Sequence, residues 1–316
     1  MRNRPFSRLF MHERIAANMK ASVFINTHSG SVEAAGADNV SSLIAARLEE
    51  AGLDADIACG DPGDFKEFCD CLKRPDDLAM AVIAGGDGTF AMAAEAFAHA
   101  PAPVAFLPAG TMNLITHDLG IDANLEDAIG DFLNWRPKKI DVGRINDRTF
   151  LNNVVFGDYA EVAEAREHLR QAPTLEERLG AISEAAYTLF HSAPARFELT
   201  VSGEVMKVRS NMLMIANNRY TGAVGMRPTR DRLDRGKLAL YLADSRDGVD
   251  LVARVLEVLR GDIDASEAID QREATQCVVR AEDDCVTVAV DGEPMALASP
   301  VEARIEPRAL TVLCPE

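Results

Sequence analysis

Three glycines enclose one aspartate in the stretch Gly85-Gly86-Asp87-Gly88-Thr89, directly after the apolar run of residues 81–84. Backbone N–H groups can grip a phosphate only where no Cβ blocks its approach, and a following helix adds partial positive charge. Residues 90–99 are rich in alanine and contain neither glycine nor proline, so they predict that helix. We therefore expect phosphate groups to be bound by Gly85, Gly86, Gly88 and Thr89.

Asp87 is chemically unusual inside a phosphate-binding turn. A bare carboxylate repels phosphate, whereas a divalent cation between the two neutralises both charges. The turn therefore predicts a nucleotide bound together with magnesium. Asp87 would be the metal ligand, either directly or through water.

A second candidate turn spans residues 108–113, Pro-Ala-Gly-Thr-Met-Asn, after the apolar run of residues 104–107. In an open parallel sheet, ligands bind at the carboxyl ends of the strands, which is where both turns would lie. The nucleotide-binding candidates in this second turn are Gly110, Thr111 and Asn113.

Two other interpretations of the first turn stay open. Residues 86–91 match the dinucleotide-binding pattern G-x-G-x-x-A, although the next apolar run ends in proline instead of a ribose-binding acid. A glycine-rich turn can also be purely structural. No G-x-x-x-x-G-K-[ST] stretch occurs in the sequence, which excludes a Walker-type site.

Together these stretches resemble the diacylglycerol kinase catalytic domain family, which includes bacterial lipid kinases, sphingosine kinases and ceramide kinases. The resemblance covers about residues 20–316, and its motifs are residues 85–89, residues 108–113 and the Asp-Gly-Glu stretch at 291–293. It implies an ATP- and magnesium-dependent lipid kinase that transfers the γ-phosphate to a lipid hydroxyl. The alternatives are a non-catalytic nucleotide- or lipid-binding relative and an NAD kinase, which the second motif disfavours.

The resemblance also implies roles for further residues. Asp291 is the candidate general base and Glu293 its supporting neighbour, although an Asp-Gly pair between strands is also an ordinary hairpin turn. Asn26 and Cys59 lie in loops that contact nucleotide in the family, where relatives carry threonine in place of Cys59. Residues 217–236 match a segment that helps to hold a structural cation, with candidate ligands Asp231 and Asp234.

The chain departs from the family pattern near both glycine turns. An Asn-Glu pair that usually follows the first turn is Ala91-Met92, and an aspartate that often follows the second is Leu114. Asp118 lies four residues later, about one helical turn, and would restore a carboxylate to the same helix face as a metal ligand.

The order of predicted elements indicates an α/β protein with two domains. Alternating strands and helices in residues 20–141 predict a parallel-sheet nucleotide-binding domain. Residues 142–303 predict a second, mostly antiparallel β-rich domain for the lipid substrate, with a helical segment over residues 159–191. Residues 304–316 predict a C-terminal strand that returns to the first domain, and residues 1–19 form an N-terminal extension without an assigned function.

Composition limits the classes of partner. The 316 residues are 47% hydrophobic, which is enough for two cores, and the formal net charge of −17 argues against nucleic acid and against a broad electrostatic membrane anchor. No run of 18 apolar residues occurs, so we expect no transmembrane segment. The six cysteines form no C-x-x-C pair and are expected to be reduced thiols in the cytoplasm.

The lipid substrate implied by the resemblance lies at a membrane surface. We therefore expect peripheral contact with the inner face of the membrane, and the acidic charge predicts that this contact is local and apolar. The sequence does not identify the lipid, because an acyl-chain pocket is built from dispersed apolar residues. It also leaves the oligomeric state open, and a homodimer is compatible with it.

Overall fold

The computed structural model describes residues 20–71, 78–121, 124–156, 195–210, 212–224, 227–243 and 269–316. The chain divides into two compact units: the first ends at Ile140 and resumes over Arg308–Glu316, and the second is Asp141–Pro307. The sequence had placed these boundaries after residues 141 and 303. The predicted extension (1–19) and the predicted helical segment (159–191) lie outside the described residues.

The first unit contains a parallel sheet. Its strands are β1 (Lys20–Asn26), β2 (Asp54–Gly60), β3 (Leu78–Gly85), β4 (Val104–Pro108) and the end of β18 (Val301–Cys314). They are ordered β2-β1-β3-β4-β18, and every pairing among them is parallel. All residues of β3 and β4 are buried, which is typical of central parallel strands covered on both faces.

Helices connect these strands. They are α1 (Gly30–Ala35), α2 (Ala37–Glu50), α3 (Asp64–Cys71), α4 (Asp87–Phe97), α5 (Leu114–Asp118) and α6 (Leu125–Asp131), with a 3₁₀ turn over Phe132–Asn134. α4 begins three residues before the predicted start because Gly86 is extended and the helix follows it directly. α4 ends at Phe97 because Ala98 leaves the helical region with ψ of 130°.

The described residues of the second unit form mainly antiparallel strands. Its elements are β5 (Arg136–Ile145), β6 (Arg148–Phe150), β7 (Asn153–Phe156), β8 (Ala195–Val201), β9 (Glu204–Ser210), β10 (Met212–Asn217), β11 (Gly222–Val224), β12 (Arg227–Thr229), β13 (Leu238–Ala243), β14 (Ile269–Ala274), β15 (Gln276–Ala281), β16 (Cys285–Val290), β17 (Glu293–Ala298) and the start of β18. One sheet has the order β14-β13-β10-β7-β16-β17, and another contains β9-β8-β15-β18. The predicted fold class, a parallel α/β unit plus an antiparallel β-rich unit, is confirmed.

Apolar side chains from both sheets of the second unit share one buried core. Phe197 and Leu199 contribute from β8, while Leu213 and Ile215 contribute from β10. This arrangement is a β-sandwich, in which alternate residues of each strand face inward. No helix in the described part of the chain combines the length and apolarity that crossing a bilayer requires.

The C-terminal strand corrects one detail of the prediction. The sequence predicts a C-terminal strand over residues 304–316, separate from the strands of the second domain. The structure has a single strand, β18, whose first residues pair with β15 and whose last residues pair with β4.

Candidate functional site

The two predicted glycine turns touch each other in the first unit. β3 and β4 are neighbours in register, with Gly85 opposite Pro108, so the turns that follow them start side by side. A Cβ on Gly110 would lie 2.6 Å from the Cα atom of Gly86, and a Cβ on Gly86 would lie 3.2 Å from the Cα atom of Gly110. Glycine is therefore required at both positions by the close approach of one backbone to the other.

Asp87 joins the two turns through its carboxylate. Oδ2 accepts a hydrogen bond from the Leu114 N–H at 3.1 Å, and Oδ1 accepts one from the Ile115 N–H at 3.2 Å. Both donors belong to the first turn of α5, where N–H groups have no acceptor within the helix. The same side chain that was predicted to position magnesium thus also caps the helix after the second turn.

Thr89 is buried beneath the first turn. Its hydroxyl accepts a hydrogen bond from Asn26 Nδ2 at 2.9 Å, and the Asn26 Oδ1 atom accepts one from the His28 N–H at 3.0 Å. A Cβ on Gly85 would lie 2.7 Å from the Thr89 side chain, which explains the glycine there. With Thr89 only 4% exposed, these contacts connect the end of β1 to the start of α4.

Asn113 shapes the second turn from within. Its backbone is left-handed, with φ of 50°, and its side chain accepts from the Gly110 N–H at 3.0 Å and donates to the Gly110 carbonyl at 2.8 Å. Thr111 beside it is exposed. The structure therefore gives Asn113 a role in holding the turn and leaves Thr111 open to a ligand.

Gly88 differs from the other glycines of the first turn. It lies in the first turn of α4, is half-buried, and does not have a positive φ. The backbone conformation therefore does not require glycine here. Glycine at this position agrees with the expectation that a phosphate approaches the backbone, which a Cβ would obstruct.

Cys59 and Asp118 are the remaining candidates in the first unit. Cys59 lies on β2, next to its last residue, where burial and then the nearby Asp38 carboxylate raise the pKa of the thiol. Asp118 is the last residue of α5 and is half-buried. Within the described ranges, no three His, Cys, Asp or Glu side chains cluster closely enough to hold a metal ion.

Asp291 occupies a hairpin turn in the second unit. Asp291 and Gly292 both have positive φ, 47° and 85°, and connect β16 to β17. The carboxylate accepts hydrogen bonds from three consecutive backbone N–H groups, those of Leu151 at 2.7 Å, Asn152 at 2.7 Å and Asn153 at 3.0 Å. Asp291 is 9% exposed, whereas Glu293 is exposed at the start of β17.

Arg230 holds the same loop as Asp291, and sequence reasoning missed it. The guanidinium is 3% exposed and donates from Nη1 to the carbonyls of Leu151 and Asn217, at 2.7 and 2.8 Å, and from Nη2 to Asn152 Oδ1 at 2.8 Å. Its linear neighbours give no apolar pattern that would predict burial. The polar loop that it binds lies 78 residues away in sequence, so no local signal could have identified it.

The two carboxylates proposed for a structural cation have arginine partners instead. Arg235 Nη2 contacts both oxygens of Asp231 at 3.1 Å, and Arg232 Nε contacts Asp234 Oδ1 at 2.9 Å. A guanidinium beside each carboxylate already supplies positive charge. This geometry disfavours a cation held by Asp231 and Asp234 together, and that assignment stays a prediction.

An open parallel sheet has two glycine turns at its carboxyl edge, and an antiparallel β-sandwich follows it in the chain, so the protein is a two-domain protein with an α/β unit and a β-sandwich unit. Residues 20–145 match the diacylglycerol kinase catalytic domain, and residues 152–314 match the YegS C-terminal NAD kinase beta sandwich-like domain. The chain belongs to the diacylglycerol kinase catalytic domain family.

Individual relatives agree with this assignment. A Mycobacterium tuberculosis protein named diacylglycerol kinase is 26% identical over 280 residues, which is 85% of this chain and 88% of that protein. A Staphylococcus epidermidis protein provisionally named a lipid kinase is 24% identical over 265 residues, 79% of this chain and 82% of its own. The crystal structure of a diacylglycerol kinase from Bacillus anthracis has a TM-score of 0.73 at 21% identity, covering 93% of this chain and 96% of that one, and this likeness concerns the fold.

Proposed function

We propose that this protein is an ATP-dependent lipid kinase that transfers the γ-phosphate to the hydroxyl of a lipid. The observation that carries the proposal is the contact between the two glycine turns, which Asp87 joins through the N–H groups of Leu114 and Ile115. The names of the relatives support a lipid acceptor, with diacylglycerol as the first candidate.

The residues of the first unit are suited to bind a nucleoside triphosphate. Gly86 and Gly110 carry no side chains where their backbones meet, and the first turn of α4 offers N–H groups that lack acceptors within the helix. Thr111 is exposed beside them and can donate a hydrogen bond to phosphate oxygen. Magnesium, when bound, would neutralise phosphate charge, and Asp87 is the carboxylate that would hold it.

The second unit would supply the acceptor side of the reaction. A lipid hydroxyl becomes a competent nucleophile as its proton is removed, and Asp291 is the proposed base. Its three backbone N–H contacts fix the orientation of the carboxylate, which a general base requires. The proton would pass from the lipid hydroxyl to Asp291 as the γ-phosphoryl group is transferred to the lipid oxygen and ADP is released.

The test is transfer of label from γ-labelled ATP to a panel of acceptors that includes diacylglycerol, phosphatidylglycerol, a sphingoid base and NAD. We expect labelled lipid in the presence of magnesium and none with a chelator. Asp291→Asn should lower the single-turnover rate by about 10²–10⁴-fold while calorimetric ATP affinity is kept. Because both oxygens of Asp291 accept backbone N–H groups, the rate is compared at a temperature where denaturant unfolding shows the variant to be folded. Label on NAD alone would replace the proposal with NAD kinase, and ATP binding without transfer to any acceptor would favour the non-catalytic relative.

A further inference from the structure

The outer face of strands β9, β8 and β15 carries several basic residues, although the chain as a whole is acidic. Alternate residues of β8, such as Phe197 and Leu199, point into the sandwich core, so Arg196 and Glu198 point outward. The register places Arg196 directly opposite Arg209. It also places Glu198 between Lys207 on β9 and Arg280 on β15.

Positive charge on this face exceeds the carboxylates that neutralise it. Arg196 contacts Glu282 at 3.7 Å and Arg280 contacts Glu198 at 3.8 Å, and all four side chains are well exposed. Lys207 and Arg209 form no ion pair with another residue in the described part of the chain. Like charges directly opposite each other destabilise a sheet, and the single carboxylate near the Arg196–Arg209 pair, that of Glu282, is fewer than the two positive charges.

A shallow groove of about 460 Å³ lies among these residues. The four cations of the groove are Arg196, Lys207, Arg209 and Arg280. On β9 the outward side chains continue past Lys207 to Val205, which is 59% exposed. The face therefore combines unpaired cations with an exposed apolar side chain, and we call it the basic groove.

We propose that the basic groove docks onto the anionic headgroups of a lipid bilayer and so brings the protein to an acceptor that resides in the membrane. This inference rests on the proposed function, since a lipid acceptor requires a route to a membrane surface. The sequence predicted a local, apolar contact, whereas the structure offers a local contact that is chiefly basic. The chain's net charge of −17 would oppose any extended polyanion, but a small basic face can meet a headgroup layer.

A membrane suits this face better than a soluble phosphate. A single phosphate binds tightly where buried donors surround it, while the donors here are spread over an exposed sheet of three strands. Each basic residue near an anionic surface adds a modest, additive attraction that salt screens within about 10 Å at 0.1 M ionic strength. Val205 beside Lys207 would add apolar contact at the headgroup boundary.

The experiment measures binding of the full chain to vesicles by sedimentation, with phosphatidylcholine alone and with phosphatidylcholine plus phosphatidylglycerol. The test variant is Lys207→Gln/Arg209→Gln. The matched control, Lys66→Gln/Arg148→Gln, removes the same charge from two exposed positions outside the groove. We expect the wild type to bind anionic vesicles in a salt-dependent way and the test variant to bind about 30-fold more weakly, since each of the two cations contributes about fivefold. The control should bind as the wild type does.

Several outcomes would overturn the proposal. They are absence of binding by the wild type, equal binding by the wild type and the test variant, an equal loss in the control, and full displacement by millimolar inorganic phosphate. Transfer to a water-soluble short-chain diacylglycerol separates this inference from the proposed function, because the test variant should phosphorylate that acceptor at the wild-type rate. A wild type that docks but transfers nothing would reject the kinase proposal and leave the docking surface supported.

Discussion

Asp291 and Arg230 both hydrogen-bond to the backbone of Leu151, Asp291 to its N–H group and Arg230 to its carbonyl group. The Asp291 carboxylate accepts from the Leu151 N–H at 2.7 Å, and the Arg230 guanidinium donates to the Leu151 carbonyl at 2.7 Å. The loop is thus held by one negatively and one positively charged side chain, which bind backbone groups that point in different directions. Since the loop in turn orients the carboxylate, Arg230 is a positioning residue for the proposed base.

Replacing Arg230 with lysine tests this positioning. An ammonium group cannot reproduce the planar fork that reaches Leu151, Asn152 and Asn217 together, so we expect a loss of about 1–3 kcal/mol of unfolding free energy. The turnover number should fall while KM for ATP stays unchanged. In an Asp291→Asn background, Arg230→Lys should lower the turnover number no further. Steady-state kinetics of the two single variants and the double variant check this. Additive losses of turnover would mean that Arg230 does not act through Asp291.

Asp87→Asn should affect folding as well as catalysis. Asparagine has nearly the same shape as aspartate, so the change removes a charge without changing the size of the side chain. In the structure both carboxylate oxygens accept N–H groups, so the asparagine NH₂ would face either the Leu114 or the Ile115 N–H. We expect about 1–3 kcal/mol lower stability in denaturant unfolding, together with loss of magnesium-dependent transfer. Asp54→Asn, which changes an exposed carboxylate of the same unit, is the control, and unchanged stability in Asp87→Asn would show that these contacts contribute little.

Much of the fold was predictable from the sequence because its strands carry their own signal. The buried runs that end at Gly85 and Pro108 are short, apolar and followed by glycine turns, and parallel pairing then brings both turns to one edge. Local sequence patterns also predicted that Asp87 lies in a glycine turn and that Asp291 lies in an Asp-Gly turn.

Long-range polar contacts were not predictable in this way. Asp291 binds a loop about 140 residues earlier in the chain, and Asp87 binds N–H groups 27 and 28 residues later. Hydrogen bonds of this kind depend on direction and distance in the folded chain, and hydrophobic periodicity contains no information about them. The arginine partners of Asp231 and Asp234 were missed for the same reason. The sequence around an aspartate does not show whether its carboxylate binds a metal or a guanidinium.

The thiol of Cys59 should react slowly although the residue is exposed. Burial and the Asp38 carboxylate raise its pKa, and alkylating reagents attack the thiolate form. The rate of iodoacetamide labelling at Cys59 should therefore rise with pH up to values above the usual pKa of a thiol. Mass spectrometry of labelled peptides over a pH series measures it. Neutralising the nearby charge with Asp38→Asn should increase the rate at a given pH, and an unchanged rate would mean that Asp38 does not act on the thiol.

Two glycine variants separate the structural role of the turns from their role in binding phosphate. Gly110→Ala places a Cβ 2.6 Å from the Gly86 Cα atom, so backbone must move, and we expect about 1–3 kcal/mol of destabilisation in denaturant unfolding. Gly88→Ala lies in the first turn of α4 without a positive φ, so the alanine should be neutral for folding or stabilise the helix by up to about 1 kcal/mol. Its Cβ would nevertheless obstruct a phosphate that approaches the backbone. We therefore expect calorimetry to show weaker ATP binding by Gly88→Ala at unchanged stability, and equal ATP affinity would mean that Gly88 does not contact the nucleotide.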